Sequence, residues 1–247
     1  MKILVPIVEN EMRGIETPYG RSLYEIERKT ILQHVCEQLM HIEGADLVFV
    51  LNKSDIQQYH LDNVIRLISP EAQIVVADGK TAGSACSCML AIDALAMDEP
   101  LIVAGGDQIV TEHLQPIVNK FRENNWDGGL VYFDDIHPRW SYIKINEDGF
   151  VTQAAEKLPI SRNATTGFYY YKQARDFVDA VFSMIQKKSH VNGKYYVCPA
   201  YNELVLRQKK IGAHRIDKFS YFNFSHSKGV ELFEEFLRKG GITSEYS

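Results

Sequence analysis

Four short runs in the first half of the chain are apolar almost without interruption: Lys2 to Val8 (KILVPIV), Asp46 to Leu51 (DLVFVL), Gln73 to Ala77 (QIVVA) and Pro100 to Ala104 (PLIVA). A strand with one wet face alternates apolar and polar residues. These runs do not, so both of their faces need cover, which is the situation of parallel strands flanked by helices. Between them lie helical patterns at Lys29 to His41, Ser54 to Ile68 and Gly83 to Met97. Strand and helix therefore alternate with short connections, which predicts a doubly wound α/β unit with right-handed crossovers. Asp127 to Phe133 reads as a further central strand. Trp140 to Glu156 reads as a hairpin turning at Glu147, Asp148 and Gly149. A strand at Thr166 to Tyr171 and a helix at Gln173 to Lys187 follow. The expectation is a mixed central sheet whose later strands form a small β appendage over the carboxyl ends of the early ones, where open α/β sheets bind ligands.

With 247 residues and no Pro/Gly/Ser linker or repeat, the chain reads as a single domain, 1–247. The net charge of -5, with no Lys/Arg block, argues against nucleic acid as the main partner. No segment approaches the roughly 18 consecutive apolar residues of a membrane span, and acidic residues come too early for a signal peptide. A cytoplasmic, membrane-free protein is expected. Cys36, Cys86, Cys88 and Cys198 do not form a disulfide framework, and Cys86 and Cys88 point to different faces of one predicted helix.

Three segments carry candidate chemistry. In PLIVAGGDQIV a strand runs into Gly105, Gly106 and then Asp107. A carboxylate at a strand's carboxyl end suits Mg²⁺, which takes few protein carboxylates and lets substrate phosphates supply other ligands. The other reading is a turn residue capping a helix that begins near Glu112. Gly83 and Ser84 open a helix after the third strand, and could receive an anion or a base on free N–H groups. Glu156 and Lys157 end a strand: a carboxylate can accept from sugar hydroxyls and an ammonium can hold a phosphate, or the pair is only a solvated strand end.

The segments GGDQIV, RWSYIKINEDGFV, AAEKLPIS, NATTGFYYYK and VNGKYYVCPAYNELV, with the opening MKILVPI, occur in an order and spacing that resembles the sugar-phosphate nucleotidyltransferase family. The likeness is strongest to its glucose-1-phosphate thymidylyltransferase-like, capsular polysaccharide biosynthesis branch. It implies a Rossmann-like nucleotide-binding fold related to that of GT-A glycosyltransferases. The implied activity joins a nucleoside triphosphate to a sugar 1-phosphate with release of pyrophosphate, using Mg²⁺. By the same resemblance Arg13, Arg21 and Asp107 fall on catalytic positions, with Asp107 as the metal ligand. Pro6, Ile7, Val8, Gly83 and Ser84 fall on nucleotide-binding positions. Ser141, Tyr142, Glu156, Lys157 and Gly167 fall on the sugar-phosphate side. A homo-oligomer is compatible with the pattern.

The first loop departs from the family's glycine-rich signature. PIVENEMRG keeps Arg13 but places Val8, Glu9, Glu11 and Met12 where the family has small residues. Glycines there let backbone N–H groups wrap phosphates, whereas Glu9 and Glu11 bring negative charge toward a triphosphate. Gly20 and Arg21 replace a Pro-Lys pair. Toward the C-terminus the nearest second carboxylate is Asp217. A homologue that binds a nucleotide sugar without catalysis, and a glycosyltransferase on the same fold, are therefore the alternatives; the absence of Asp-x-Asp lowers the latter. The aromatic residues Tyr169, Tyr170, Tyr171, Tyr195, Tyr196, Tyr201, Tyr221 and Phe222 read either as a sugar-stacking wall or as strand packing.

Overall fold

The computed structural model describes residues 1–8 and 19–241. The first half comprises β1 (Lys2–Ile7), a small hairpin β2 (Glu25–Ile26) and β3 (Lys29–Thr30), α1 (Ile31–Met40), β4 (Asp46–Asn52), α2 (Lys53–Tyr59), α3 (Leu61–Ile68), β5 (Gln73–Ala77), α4 (Ser84–Met89) and β6 (Leu101–Ala104). Then come β7 (Gln108–Val110), α5 (Leu114–Glu123), β8 (Gly128–Asp134), β9 (Ser141–Ile145), β10 (Val151–Glu156) and β11 (Asn163–Tyr171). The chain continues through α6 (Ala174–Gln186), α7 (Tyr201–Leu206), β12 (Ile211–Arg215), β13 (Tyr221–Asn223) and α8 (Ser227–Arg238).

Among the described residues, nine strands form one mixed sheet in the order β10-β9-β11-β6-β1-β4-β5, with β8 beside β11 and β12 beside β8. β1, β4, β5 and β6 are parallel, while β11 runs antiparallel to both β6 and β8. The sheet is covered on both sides. Ile3, Val5 and Ile7 of β1 join α1, α5 and α8 in one apolar cluster, and Leu4 joins α4, α6 and α7 in the other. That period-two split is why the strand sequences are continuously apolar. β5 differs: it is the sheet's edge, and Val76 is 49% exposed.

Three expectations need correction. Ser54 to Ile68 is two helices, because His60 takes a left-handed conformation (φ 51°, ψ 40°) that ends α2 and re-aims α3, whose Leu61 and Ile65 are fully buried. Gly83 to Met97 is helical only to Met89. N–H bonds three residues back, from Leu90 to Ser87 and Ala91 to Cys88, close the helix, and Ala91 and Leu95 reach the core through tighter turns. The helix expected near Glu112 does form, as α5 from Leu114, but Asp107 does not cap it: Gln108–Val110 intervenes as a strand paired with β13, and the N-cap is His113.

The hairpin forms as expected, with Gly149 at φ 84° in its turn. β11 is longer than predicted and irregular between Thr165 and Tyr169. Asn163 and Ala164 pair with β9, whereas Phe168 to Tyr171 pair with β6, on the same side of the strand. At this break Gly167 adopts φ 81°, and its carbonyl accepts from the Gly105 N–H. The strand's change of neighbour thus brings the ends of β6, β9 and β10 to one place.

Candidate functional site

The carboxyl end of β6 is built tightly from within. A Cβ at Gly106 would lie 2.6 Å from the Ile7 side chain, and one at Gly105 or Gly167 would meet the Gln108 amide at 2.8 Å and 2.6 Å. These glycines are explained by packing of the chain on itself. Gln108, which the sequence did not single out, is buried between them and accepts from the Tyr221 hydroxyl at 3.2 Å.

Asp107 follows. Its carboxylate stands 3.4 Å from Nη2 of Arg21, and the two side chains are only 23% and 10% exposed. The Asp107 carbonyl accepts from the Phe224 N–H, and α5 begins seven residues later, so the helix-cap reading is removed. Arg21 is delivered by a 3₁₀ turn, Arg21–Leu23, whose opening bonds run from Leu23 to Gly20 and from Tyr24 to Arg21. A cation and a carboxylate 86 positions apart in sequence are neighbours at the carboxyl edge of the central strands.

Two residues near this pair were missed. Asp55, in the first turn of α2, has its carboxyl pushed up by burial, an effect partly offset by the Arg21 charge. Asn223 lies opposite Gln108 in the β7–β13 ladder, and its Oδ1 accepts from Ser225 N and Oγ. Asp217, by contrast, caps the 3₁₀ turn Lys218–Ser220 through the Phe219 N–H at 2.8 Å, so it is a structural residue. Among the described residues there is no group of three or more His, Cys, Asp and Glu arranged for a metal.

On the nucleotide side, Pro6 and Ile7 pair with Val50 and Leu51. The Ile7 side chain is core, at 2% exposure, which leaves only its backbone for any ligand. The Val8 carbonyl accepts from the Asn52 side-chain amide. Arg13, with Glu9, Glu11 and Met12, lies outside the described residues. Gly83 adopts φ 108°, ψ 172°, and a Cβ there would fall 2.4 Å from the Tyr195 carbonyl oxygen. Tyr195 donates to the Ala82 carbonyl at 2.7 Å and accepts from Ala85 N at 3.1 Å, so the helix start beginning at Ser84 is not a row of free donors. Lys53 and Asp78, at the ends of β4 and β5, form an exposed ion pair at 2.9 Å.

On the other side of the break, Ser141 and Glu156 are directly opposite in the hairpin, and the Ser141 hydroxyl donates to the Glu156 carboxylate. Burial raises the Glu156 carboxyl, and the Ser141 bond and the Lys157 charge offset this only in part. Lys157 sits at φ 55°, with its N–H on the Trp140 carbonyl. Its ammonium is 2.9 Å from the Tyr196 hydroxyl and 4.7 Å from that ring's centre. Tyr142 alternates with Ser141 and is fully buried. Its hydroxyl donates to the His137 carbonyl at 2.6 Å, so its side chain belongs to the core and does not face a sugar.

The aromatic residues divide the same way. Tyr169, Tyr170, Tyr171, Tyr201 and Phe222 are buried, and Tyr171 stacks on Tyr201 at 4.7 Å. Tyr195, Tyr196 and Tyr221 keep partial exposure. Cys88 is buried and Cys86 half-buried. A groove of ≈ 570 Å³ at the ends of β8 and β12 is lined by Asp134, Arg215, Ile216, Asp217 and Lys218. Its charges are largely matched, Asp134 with Arg162 and Lys218 with Asp135. Among the described residues no helix is long and apolar enough to cross a membrane.

A mixed sheet wound on both faces, with its polar residues gathered at the carboxyl edge, defines a Rossmann-like α/β protein. The sequence profile of the nucleotidyl transferase family matches residues 20–205, and the chain belongs to that family. No curated protein matches it significantly. Solved structures share the fold at low identity. A nucleoside-diphosphate-sugar pyrophosphorylase from Vibrio cholerae RC9 is 20% identical with a TM-score of 0.78, over 95% of this chain and 99% of that one. A Bacillus anthracis protein assigned as a glucose-1-phosphate thymidylyltransferase, in complex with sucrose, is 17% identical with a TM-score of 0.78, over 99% and 98%. A UDP-glucose pyrophosphorylase complexed with UDP-glucose is 16% identical with a TM-score of 0.74, over 96% and 98%.

Proposed function

We propose that this chain transfers a nucleotidyl group from a nucleoside triphosphate to a sugar 1-phosphate, releasing pyrophosphate and supplying a nucleotide sugar for a surface polysaccharide. The carrying observation is the Arg21–Asp107 pair at the carboxyl edge, beside the break in β11 that also gathers Ser141, Glu156 and Lys157. A phosphate oxygen of the sugar phosphate attacks the α-phosphorus in line. The new O–Pα bond forms as the bond from Pα to the bridging oxygen breaks, and pyrophosphate carries the electron pair away. No covalent nucleophile of the protein is needed, so the protein's work is placement and charge.

Arg21 offers a fork of donors to phosphate oxygens. Glu156 accepts from sugar hydroxyls, with Ser141 fixing its orientation, and Lys157 meets the sugar's phosphate. Asp107 presents one half-buried carboxylate, and Mg²⁺ is held by one or two carboxylates with substrate phosphates completing its shell, so the donor set fits an ion that enters with the triphosphate. Bound there, Mg²⁺ would neutralise charge on the phosphate oxygens. The same reading takes residues 1–247 as one unit and assigns the loop containing Arg13 to the triphosphate.

Glu9 and Glu11 favour a second reading, a homologue that binds a finished nucleotide sugar without making it, because they put acidic residues at sequence positions that the family fills with small ones, and like charge opposes a triphosphate. A screen of CTP, UTP, dTTP, GTP and ATP with Mg²⁺ against phosphorylated sugars separates the two. Pyrophosphate release that is abolished in Asp107→Ala supports transfer. Nucleotide-sugar binding with neither triphosphate binding nor turnover supports the second reading.

A further inference from the structure

Tyr195 and Tyr196 are consecutive, yet they serve opposite halves of the site. Through its backbone, Tyr195 is joined to the nucleotide side: its N–H donates to Ala82, its carbonyl accepts from Ala85, and it occupies the space that a Gly83 side chain would need. Its ring packs edge-on against His190 at 5.7 Å, and a Val191–Lys194 bridge closes the preceding turn. Tyr196 then reaches the other side, where its hydroxyl accepts from the Lys157 ammonium and its ring faces the same charge.

Lys157 needs such a hold. It occupies a left-handed backbone conformation, unfavourable for a residue with a Cβ, at the exposed end of β10, and its long side chain has many rotamers to lose. An ammonium has three donors, so one bond to Tyr196 leaves two for a phosphate. The phenol ring adds attraction for the cation without neutralising it, which an acidic partner would do.

We infer that Tyr196 is a positioning residue that presents Lys157 to the phosphate of the acceptor, and that the Tyr195–Tyr196 dipeptide ties this placement to the helix start at Gly83–Ala85. The inference deepens the transferase reading and rests on Lys157 meeting the acceptor's phosphate. Nucleotide docking at residues 82–85 then steadies Tyr195, and through it the cation that receives the second substrate. Coupling of that kind is reciprocal: acceptor bound at Lys157 also tightens the nucleotide.

The test uses Tyr196→Phe, Tyr196→Ala, Lys157→Ala and the double variant Lys157→Ala/Tyr196→Phe. With the substrate pair found by the screen, Tyr196→Phe raises the KM for the sugar phosphate about tenfold, the worth of one charge-assisted hydrogen bond. Its kcat and its nucleotide KM at vanishing acceptor stay within about twofold, the nucleotide KM at saturating acceptor rises, and in the Lys157→Ala background the same substitution changes the sugar-phosphate KM by no more than about twofold. Equal effects of Tyr196→Phe in both backgrounds, or a loss confined to kcat, overturn the inference.

A second readout needs no acceptor. In competitive labelling with acetic anhydride, followed by peptide mass spectrometry, Lys157 of Tyr196→Ala labels several-fold faster than in the wild type relative to the other lysines. Adding ATP or CTP with Mg²⁺ slows Lys157 labelling more in the wild type than in Tyr196→Ala. Unchanged labelling in the variant refutes the positioning role even where transfer is observed. Faster labelling in the variant supports it even where the screen finds no turnover and the transferase reading falls.

Discussion

Replacing Gly83 by alanine destabilises the fold by an amount that the geometry sets. At φ 108°, ψ 172° the residue is in a region open essentially to glycine alone, which costs a side chain about 1–3 kcal/mol. The added Cβ also falls 2.4 Å and 2.7 Å from the Tyr195 O and N atoms, which are backbone and cannot rotate away. Relieving that contact moves Tyr195 off Ala82 and Ala85, and each of those two bonds is worth about 1 kcal/mol. The expected loss is about 4 kcal/mol, a large share of a domain's stability. Gly79 supplies the control, because it has φ 104° and nothing within 4 Å of its Cβ position, so Gly79→Ala bears the backbone strain without the collision. Urea unfolding of both variants, followed by the fluorescence of the two tryptophans and extrapolated linearly, isolates the Tyr195 contact as their difference, about 2 kcal/mol. If Gly83→Ala loses no more than Gly79→Ala, the joint between the two half-sites does not exist as described.

Three further outcomes follow from the buried polar groups. Because burial raises the Glu156 carboxyl, its contribution to stability is present below the ordinary value of 4.5 and is lost as pH rises through the folded value. Glu156→Gln, which keeps an acceptor for Ser141 without the charge, therefore melts above the wild type at neutral pH, and a gap that does not shrink on acidification counts against this. Asp135 behaves oppositely: burial pushes its carboxyl up, but the Lys218 bond and the His137 and Ile136 N–H groups outweigh it and bring the value down to about 2. Its contribution is present above the ordinary 3.8 and lost as pH falls toward 2, so Asp135→Asn costs about 2 kcal/mol at neutral pH and little in acid, as urea titrations at the two pH values measure. Burial raises all four thiols, with Cys36 and Cys198 at about 12, so the buried Cys36, Cys88 and Cys198 resist iodoacetamide in the native protein at neutral pH, and rapid alkylation of any of these three contradicts their placement.

The central strands were legible because residues buried on both faces leave an unbroken apolar run, and β1, β4 and β6 fall within a residue or two of their expected bounds. What was not legible depends on distant partners. β7 and β13 are three residues each and exist because they pair with one another across 113 positions. His60 divides a helix through a single left-handed residue, for which the periodicity of its neighbours gives no cue. Within the site, Asp107, Glu156 and Lys157 were visible as charged residues at strand ends, and Arg21 only through a family likeness. Gln108 and Asn223 carry no such mark, because each takes its place from a contact made by the folded sheet, and Tyr196 stood out only as one of eight aromatics, its contact with Lys157 being set by the fold. Tyr142 shows the reverse: the family likeness puts it on the sugar side with Ser141, while strand alternation turns its side chain into the core.

The most direct measurement of the central claim is coupled detection of pyrophosphate from purified protein, Mg²⁺, one nucleoside triphosphate and one sugar 1-phosphate, alongside Asp107→Asn. The account predicts release that requires both substrates, yields a nucleotide sugar in equal amount, and disappears in the variant while its fold persists. Release that is unaffected by Asp107→Asn, or no release and no triphosphate binding across all five nucleotides, contradicts it.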